Sequence, residues 1–182
     1  AFIRCKNRVI TGEATPFYLF HPHAPARIKK AFPKAKIIMM LRNPIDRAYS
    51  HYRYHVKLGE ETLTFEEAVA AQPARLQGEY EKMLENESYN STNYKIYSYL
   101  KRGIYANQLQ IWFDLFPKEQ MLAIKSEDFF ADPATSYGLV QKFLGLPDYP
   151  LKSYKKFNEG QGSTINPETR SKLVTYFEPH NK

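Results

Sequence analysis

Apolar residues along the chain form three short uninterrupted tracts and several longer segments with helical spacing. The tract around Val9 and Ile10 ends at a loop near Glu13 and predicts a short strand. Residues 37–41 are all apolar, I-I-M-M-L, and predict a buried strand, and residues 121–124 predict a third strand. These tracts supply the strands of the predicted fold.

Segments with helical spacing lie between and after the predicted strands. A helix is predicted to begin at Asn43-Pro44, where an amide acceptor precedes a proline, and another at Thr64 and Glu67, which have the spacing of a capping box. The other predicted helices cover residues 24–32, 104–116, 129–144 and 166–177, and the second half of residues 72–93 is expected to be a mobile loop. This alternation predicts an α/β fold with a central parallel β-sheet flanked by helices, in one domain over residues 1–182.

Composition narrows the function without identifying it. The 182 residues are 43% apolar and include 14 Tyr, 12 Phe and 1 Trp, which excludes an intrinsically disordered chain. No apolar run approaches the ~20 residues that a transmembrane helix needs. The net charge of +7 favours anionic ligands, although a solvated basic surface would give the same excess. The single cysteine, Cys5, excludes an internal disulfide and a thiolate metal cluster.

Residues 41–52, L-R-N-P-I-D-R-A-Y-S-H-Y, carry the candidate chemistry. They place the guanidinium of Arg42 at the carboxyl end of a buried strand. They also place the hydroxyl of Ser50 in the second turn of the next helix, close to the positive N-terminus of that helix. The planar guanidinium matches a phosphoryl group, and the hydroxyl adds a hydrogen bond to it. The segment therefore predicts a phosphate site, with a structural arginine in a strand-to-helix turn as the alternative.

The spacing R-N-P-x-x-R-x-x-S-x-Y resembles the signature that binds the 3′-phosphate in sulfotransferases that use 3′-phosphoadenosine 5′-phosphosulfate (PAPS). The similarity extends to G-E-A-T-P-F-Y-L at residues 12–19, R-G-I-Y at residues 102–105, Trp112, and F-L-G-L at residues 143–146. Together these segments are similar to the branch that contains heparan-modifying and bacterial enzymes. The resemblance implies a P-loop nucleotide-kinase-like sulfotransferase fold, in which Arg42 and Ser50 bind the cofactor PAPS.

The same resemblance assigns roles to two further regions. In this branch the glutamate of a G-E-x-T-P segment is the general base, and the matching residue is Glu13, which would accept the proton of a hydroxyl or amine acceptor. Heparan-modifying members usually have lysine at the next position, whereas this chain has Ala14. A later loop in the family closes over the nucleotide. It corresponds to Gly160, Gln161 and Gly162, where an ordinary flexible connection is the alternative.

Tyr105, His51 and His55 are weaker candidates. By resemblance Tyr105 would reach the cleft that holds the cofactor and the acceptor substrate, but its position on an apolar helix face also suits packing. His51 and His55 lie four residues apart on one predicted helix, a spacing that can bind a metal. The sequence places no third ligand to complete such a site, so no metal is expected and a structural or solvated role is favoured.

One element of the family signature has no counterpart in residues 1–8. Family members open with a strand and a Lys/Gly/Thr-rich loop that holds the 5′-phosphosulfate, and residues 1–8 contain no such loop. We therefore expect these 182 residues to lack the N-terminal phosphosulfate-binding part and to have little or no activity by themselves.

The sequence thus predicts an enzyme that transfers the sulfuryl group of PAPS to a hydroxyl or amine and releases 3′,5′-ADP. The acceptor would be a glycan, a lipid or a small metabolite. A nucleotide-dependent phosphotransferase is one alternative, and a non-catalytic module that binds anionic glycan or nucleic acid is another. Nucleic acid is not the expected partner. A cytoplasmic bacterial enzyme is expected, with a luminal Golgi domain as the alternative.

Overall fold

The computed structural model describes residues 3–5, 8–155 and 164–180. Within these residues the strands are β1 (Ile3–Cys5), β2 (Arg8–Ile10), β3 (Ile37–Leu41) and β4 (Met121–Lys125). The α-helices are α1 (Ala24–Ala31), α2 (Pro44–Lys57), α3 (Phe65–Leu76), α4 (Glu79–Glu85), α5 (Thr92–Tyr97), α6 (Tyr105–Leu115), α7 (Ser126–Ala131), α8 (Pro133–Leu144) and α9 (Pro167–Phe177). Single turns of 3₁₀ helix occupy Lys101–Gly103, Lys118–Gln120 and Glu178–His180. None of the helices in the described ranges is long and apolar enough to cross a lipid bilayer.

Strands β3 and β4 form the centre of the α/β architecture. They pair in parallel, with Ile37 opposite Met121 at one end and Leu41 opposite Lys125 at the other. Helices separate the two strands in sequence, as a parallel pair requires, because its crossover connection must be long. The predicted α/β fold, with parallel strands flanked by helices, is confirmed.

Strand β3 is buried on one face and partly open on the other. Met39 is buried in a cluster that also contains Trp112 and Phe116. On the opposite face, Ile38 is 39% exposed and Met40 is 51% exposed. Helices α7 and α8 pack mainly against β4, so they leave this face of β3 incompletely covered. The uninterrupted apolar run therefore indicated a strand correctly but overstated its burial.

The first predicted strand joins a different sheet from the one expected. It forms as β2, which pairs antiparallel with β1 from Ile3 opposite Ile10 to Cys5 opposite Arg8. In the part of the chain that the structure describes, β1 and β2 make a separate two-stranded sheet. Antiparallel pairing with a neighbouring segment needs no long crossover, so it competes with addition to the parallel strands. The expectation that this strand belongs to the parallel sheet is therefore wrong.

Helix α2 begins where the sequence predicts. Oδ1 of Asn43 accepts hydrogen bonds from the backbone N–H groups of Ile45 and Asp46, at 3.0 and 3.3 Å. These are N–H groups of the first turn, which lack partners within the helix. Ile45 and Ala48 are buried in a core cluster that also contains residues of α3 and α9. The cap and the cluster together fix the direction in which the chain leaves β3.

Helices α4 and α5, residues 79–85 and 92–97, flank a loop at residues 86–91. Met83 and Tyr94 are buried in one cluster with Phe20. Ser91 caps α5 by accepting a hydrogen bond from the N–H of Tyr94 at 2.9 Å, and its hydroxyl donates to the carboxylate of Glu79. Polar residues in this stretch thus serve as caps and buried partners. The loop predicted for the second half of residues 72–93 forms over residues 86–91, and the prediction is wrong only at its two ends, where α4 and α5 extend into it.

Candidate active site

Arg42 and Ser50 lie on the two sides of one strand-to-helix junction, as the sequence predicts. Arg42 directly follows the last residue of β3, and Ser50 lies in the second turn of α2. Both residues are exposed, so both side chains are accessible to a ligand. Between them, the backbone N–H of Asn43 donates a hydrogen bond to Oε1 of Glu127 at 2.8 Å. This bond holds the junction against α7.

Glu13 lies in the exposed loop that follows β2. The hydroxyl of Thr15 donates a hydrogen bond to Oε1 of Glu13 at 2.5 Å, and this contact orients the carboxylate. Arg102 holds the same loop, because its Nη2 donates to the carbonyl of Pro16 at 3.1 Å. The Arg102 guanidinium also lies over the ring of Phe17, 5.4 Å from its centroid. The loop of Glu13 is thus tied to the segment that precedes α6.

The R-G-I-Y segment connects the two candidate regions. Arg102 binds the loop that carries Glu13, and the hydroxyl of Tyr105 donates to the backbone carbonyl of Arg42 at 3.0 Å. Gly103, between them, lies so close to α2 that an added Cβ would stand 2.9 Å from Cβ of Pro44. This short segment therefore brings the predicted base and the predicted phosphate-binding arginine to one region of the fold.

The hydroxyl of Tyr105 is engaged by the protein itself. Burial raises the pKa of this hydroxyl, so it stays protonated and donates to the Arg42 carbonyl. The structure thus gives Tyr105 a contact that positions Arg42, and direct binding of an acceptor by Tyr105 stays a prediction. Gly160, Gln161 and Gly162, predicted to cover the nucleotide, lie outside the described residues.

Arg47 is a candidate that the sequence analysis missed. It lies in α2, and its Nη2 donates to the backbone carbonyl of Tyr99. Its Nε is fully buried and has no hydrogen-bond partner among the described residues. A buried guanidinium nitrogen without an acceptor is unfavourable unless a ligand or water supplies one. The available signal was the second arginine of the spacing R-N-P-x-x-R.

Three guanidinium groups give the junction a positive potential. Burial, together with the charges of Arg102 and Arg42, lowers the pKa of Arg47 to about 10. Burial likewise lowers the pKa of Arg102 to about 10. In the part of the chain that the structure covers, no carboxylate is within salt-bridge distance of Arg42, Arg47 or Arg102. Glu127 is the nearest acidic group, since the Asn43 N–H binds its carboxylate and the charge of Arg42 helps to lower its pKa. Three cations with no direct ion pair favour a ligand with several negative charges.

The two histidines of α2 contact protein groups. His51 packs edge-on against His55, with ring centroids 4.7 Å apart, and Nδ1 of His55 lies 2.7 Å from Oε2 of Glu60. Burial, with the charges of Arg102 and Arg47, lowers the pKa of His51 to about 2, so its ring is neutral. Among the described residues, no group of three or more metal-ligating side chains is assembled.

Comparisons with known proteins concern the family and the fold of the chain. The family profile of the sulfotransferase domain matches residues 10–171. The chain is 32% identical over 153 residues to human heparan sulfate glucosamine 3-O-sulfotransferase 3B1, covering 84% of this chain and 35% of that protein. It is 28% identical over 156 residues to bifunctional heparan sulfate N-deacetylase/N-sulfotransferase 1 of Caenorhabditis elegans, covering 86% of this chain and 17% of that protein. The chain thus spans about a third or less of the length of these curated relatives.

A solved structure is similar over most of the chain. The crystal structure of a sulfotransferase from Alicyclobacillus acidocaldarius has a TM-score of 0.71 and 33% sequence identity, covering 93% of this chain and 60% of that chain. The matched range, residues 10–171, contains the positions of Glu13, Arg42, Ser50 and the R-G-I-Y segment. With its parallel strand pair and its arginine-rich junction between β3 and α2, the chain belongs to the sulfotransferase family.

Proposed function

We propose that this chain binds PAPS and directs transfer of its sulfuryl group to a hydroxyl or amine of an acceptor. The observation that carries the proposal is the group of three guanidiniums at the junction of β3 and α2, one of which has a buried nitrogen without a partner among the described residues. The family profile supports sulfuryl transfer as the reaction class. Two relatives are named for sulfation of heparan sulfate, one at nitrogen and one at oxygen, which supports either nucleophile here.

Arg42 and Ser50 hold the 3′-phosphate of PAPS in this proposal. Both are exposed, and the first turn of α2 adds the partial positive charge of a helix N-terminus. Arg47 and Arg102 add positive potential from the protein side of the junction. Bound PAPS supplies an activated sulfuryl group, and the chain supplies the charge and hydrogen bonds that hold and orient it.

Glu13 is the general base. Its carboxylate is exposed, and the hydroxyl of Thr15 orients it. A carboxylate in this position can accept the proton that a hydroxyl or amine loses as it becomes a nucleophile. Because Arg102 fixes the loop through the carbonyl of Pro16, the fold sets the position of the carboxylate relative to α6.

Titration calorimetry with 3′,5′-ADP, AMP and ATP tests the donor site. We expect 3′,5′-ADP to bind at least about tenfold more tightly than AMP, because a second phosphate meets a guanidinium and a hydroxyl. Arg42→Ala should abolish this preference. Lys118→Ala removes an exposed positive charge in the turn before β4 and should preserve it.

Two outcomes would refute the proposal. Tighter binding of ATP than of 3′,5′-ADP would favour a phosphotransferase, because such an enzyme recognises the triphosphate. Similar, strongly salt-dependent binding of all three nucleotides would favour a basic surface that attracts any polyanion.

A further inference from the structure

The peptide group that joins Arg42 to Asn43 is held at both of its polar ends. Its carbonyl, that of Arg42, accepts a hydrogen bond from the hydroxyl of Tyr105 at 3.0 Å. Its N–H, that of Asn43, donates to Oε1 of Glu127 at 2.8 Å. Tyr105 begins α6 and Glu127 lies in α7, so two separate helices fix the plane of this one peptide group.

The peptide group before Arg42 is held in a similar way. The carbonyl of Leu41 accepts a hydrogen bond from the hydroxyl of Ser126 at 3.0 Å, and Ser126 is only 6% exposed. The backbone is therefore restrained on both sides of Arg42, whereas Arg42 itself is exposed. We refer to the three side chains that make these contacts as the Arg42 frame: Ser126, Glu127 and Tyr105.

The backbone N–H groups of residues 43–47 all have acceptors within the protein. Oxygen atoms of Asn43 accept the N–H groups of residues 45–47, and Glu127 accepts that of Asn43 itself. Pro44 has no N–H group. A helix N-terminus commonly binds phosphate through such groups, but at α2 they are already used. A phosphate at this junction therefore depends on side chains, and the direction in which Arg42 leaves the backbone matters accordingly.

Glu127 has two opposite effects on an anion beside Arg42. The Asn43 N–H lowers the pKa of the Glu127 carboxyl, and the charge of Arg42 lowers it further, so the group is ionised and repels a phosphate. Its hydrogen bond to Asn43 instead orders the backbone at Arg42 before a ligand arrives, which reduces the entropy that binding costs. Because Glu127 is exposed, water screens its charge, and the hydrogen bond is the larger of the two effects.

We propose that the Arg42 frame positions Arg42 for the 3′-phosphate and thereby sets the preference of the chain for 3′,5′-ADP over AMP. Glu127 acts in this role as a hydrogen-bond acceptor, and its charge is secondary. The inference rests on the proposed function, because it identifies the residues that prepare the same phosphate site.

Calorimetry of the full chain measures this preference as the ratio of the dissociation constants of AMP and 3′,5′-ADP. Ser126→Ala, Tyr105→Phe and Glu127→Ala each remove one hydrogen bond of the frame. We expect each to lower the ratio about three- to tenfold and to leave AMP binding unchanged. Glu127→Gln keeps an oxygen that accepts from the Asn43 N–H, so it should keep at least the wild-type ratio.

Two matched controls lie away from the junction. Tyr97→Phe removes a similar bond, since its hydroxyl donates to the carbonyl of Glu60 at 3.2 Å. Glu119→Ala removes an exposed carboxylate in the turn before β4. Neither control should change the ratio. A frame variant that lowers only the melting temperature, with an unchanged ratio, would have a purely structural role and would overturn the inference.

The Arg42→Ala background separates positioning from direct contact with the nucleotide. Without the guanidinium there is no side chain left to position, so Tyr105→Phe and Glu127→Ala should then leave the affinity for 3′,5′-ADP unchanged. A further loss of affinity in this background would mean that these side chains act on the nucleotide by another route, and the proposed role would be wrong.

Amide hydrogen exchange in the ligand-free chain, followed by NMR, tests the frame without a nucleotide. Exchange of the Asn43 N–H should be at least about fivefold faster in Glu127→Ala than in the wild type, and close to the wild-type rate in Glu127→Gln. Equal rates in Glu127→Ala and the wild type would contradict the hydrogen bond on which the inference depends.

The wild-type ratio separates this inference from the proposed function. If the wild type prefers 3′,5′-ADP and the frame variants keep that preference, or lose AMP binding by the same factor, only the positioning role fails. Equal losses in Glu127→Gln and Glu127→Ala would overturn the role of Glu127 as an acceptor. A wild-type chain without the preference would refute the proposed function and the positioning role with it.

Discussion

Replacing Gly103 with alanine is expected to destabilise the chain and to weaken nucleotide binding together. An added Cβ would stand 2.9 Å from Cβ of Pro44 and 3.0 Å from two ring carbons of Phe177. Non-bonded carbons prefer about 3.5–4.0 Å, so the neighbours would have to move by roughly half an ångström. Pro44 is held at the start of the capped helix α2, and Phe177 is only 1% exposed. Overpacking of this kind costs about 1–3 kcal/mol.

Thermal unfolding and calorimetry measure the two effects. For a chain of this size, each kcal/mol lowers the melting temperature by about 2–4 °C. Displacement of Pro44 also moves the junction that carries Arg42, so the affinity for 3′,5′-ADP should fall. Gly138→Ala in α8 is the matched control, because no atom lies within 4 Å of its added Cβ and helix propensity favours alanine by about 1 kcal/mol. A Gly103→Ala protein that melts at or above the wild-type temperature would refute the close packing described for this segment.

Three further predictions concern acid stability, a helix cap and the base. Burial raises the pKa of Glu61, but hydrogen bonds from Arg75 and neighbouring groups outweigh it and lower the pKa to about 2. The free energy of unfolding that this carboxylate contributes should therefore be lost as the pH falls from 4.5, its ordinary pKa, to about 2. Denaturant titrations at several pH values measure this loss, and Glu61→Gln should remove the pH dependence in this range. Thr64→Ala removes the acceptor of the Glu67 N–H and should cost about 1 kcal/mol in urea unfolding, so unchanged stability would contradict the cap. In a longer chain that also carries a loop for the 5′-phosphosulfate, Glu13→Gln should slow sulfuryl transfer at least about 100-fold. The affinity for 3′,5′-ADP should stay constant, and a parallel loss of that affinity would argue against a base.

Features built from neighbouring residues could be predicted from the sequence. Asn43 and Thr64 accept hydrogen bonds from N–H groups two or three residues ahead, so the residues that indicate each cap are the ones that make it. The placement of Arg42 and Ser50 depends on the same short stretch of chain. A five-residue apolar run was sufficient to locate β3.

Features that depend on distant partners could not be predicted in this way. Strand β2 could pair with β1 or join the parallel strands, and apolar patterning does not distinguish these two arrangements. The importance of Arg47 depends on two features of the folded chain. Its Nη2 donates to the carbonyl of Tyr99, 52 residues away, and its Nε is buried without an acceptor among the described residues. A pocket that includes Lys101 combines side chains from several separate segments, which apolar patterning does not bring together.

Arg102 lies in the 3₁₀ turn Lys101–Gly103 and Tyr105 begins α6 two residues later, and this closeness has a thermodynamic consequence. A nucleotide that restrains Arg42 also restrains Tyr105, and through the turn it restrains the Arg102 contact to the opposite loop. Because the first ligand has already ordered these residues, binding of the second ligand costs the protein less conformational entropy. Linkage requires that each ligand change the affinity of the other by the same factor. Donor and acceptor should therefore associate cooperatively, in either order of addition.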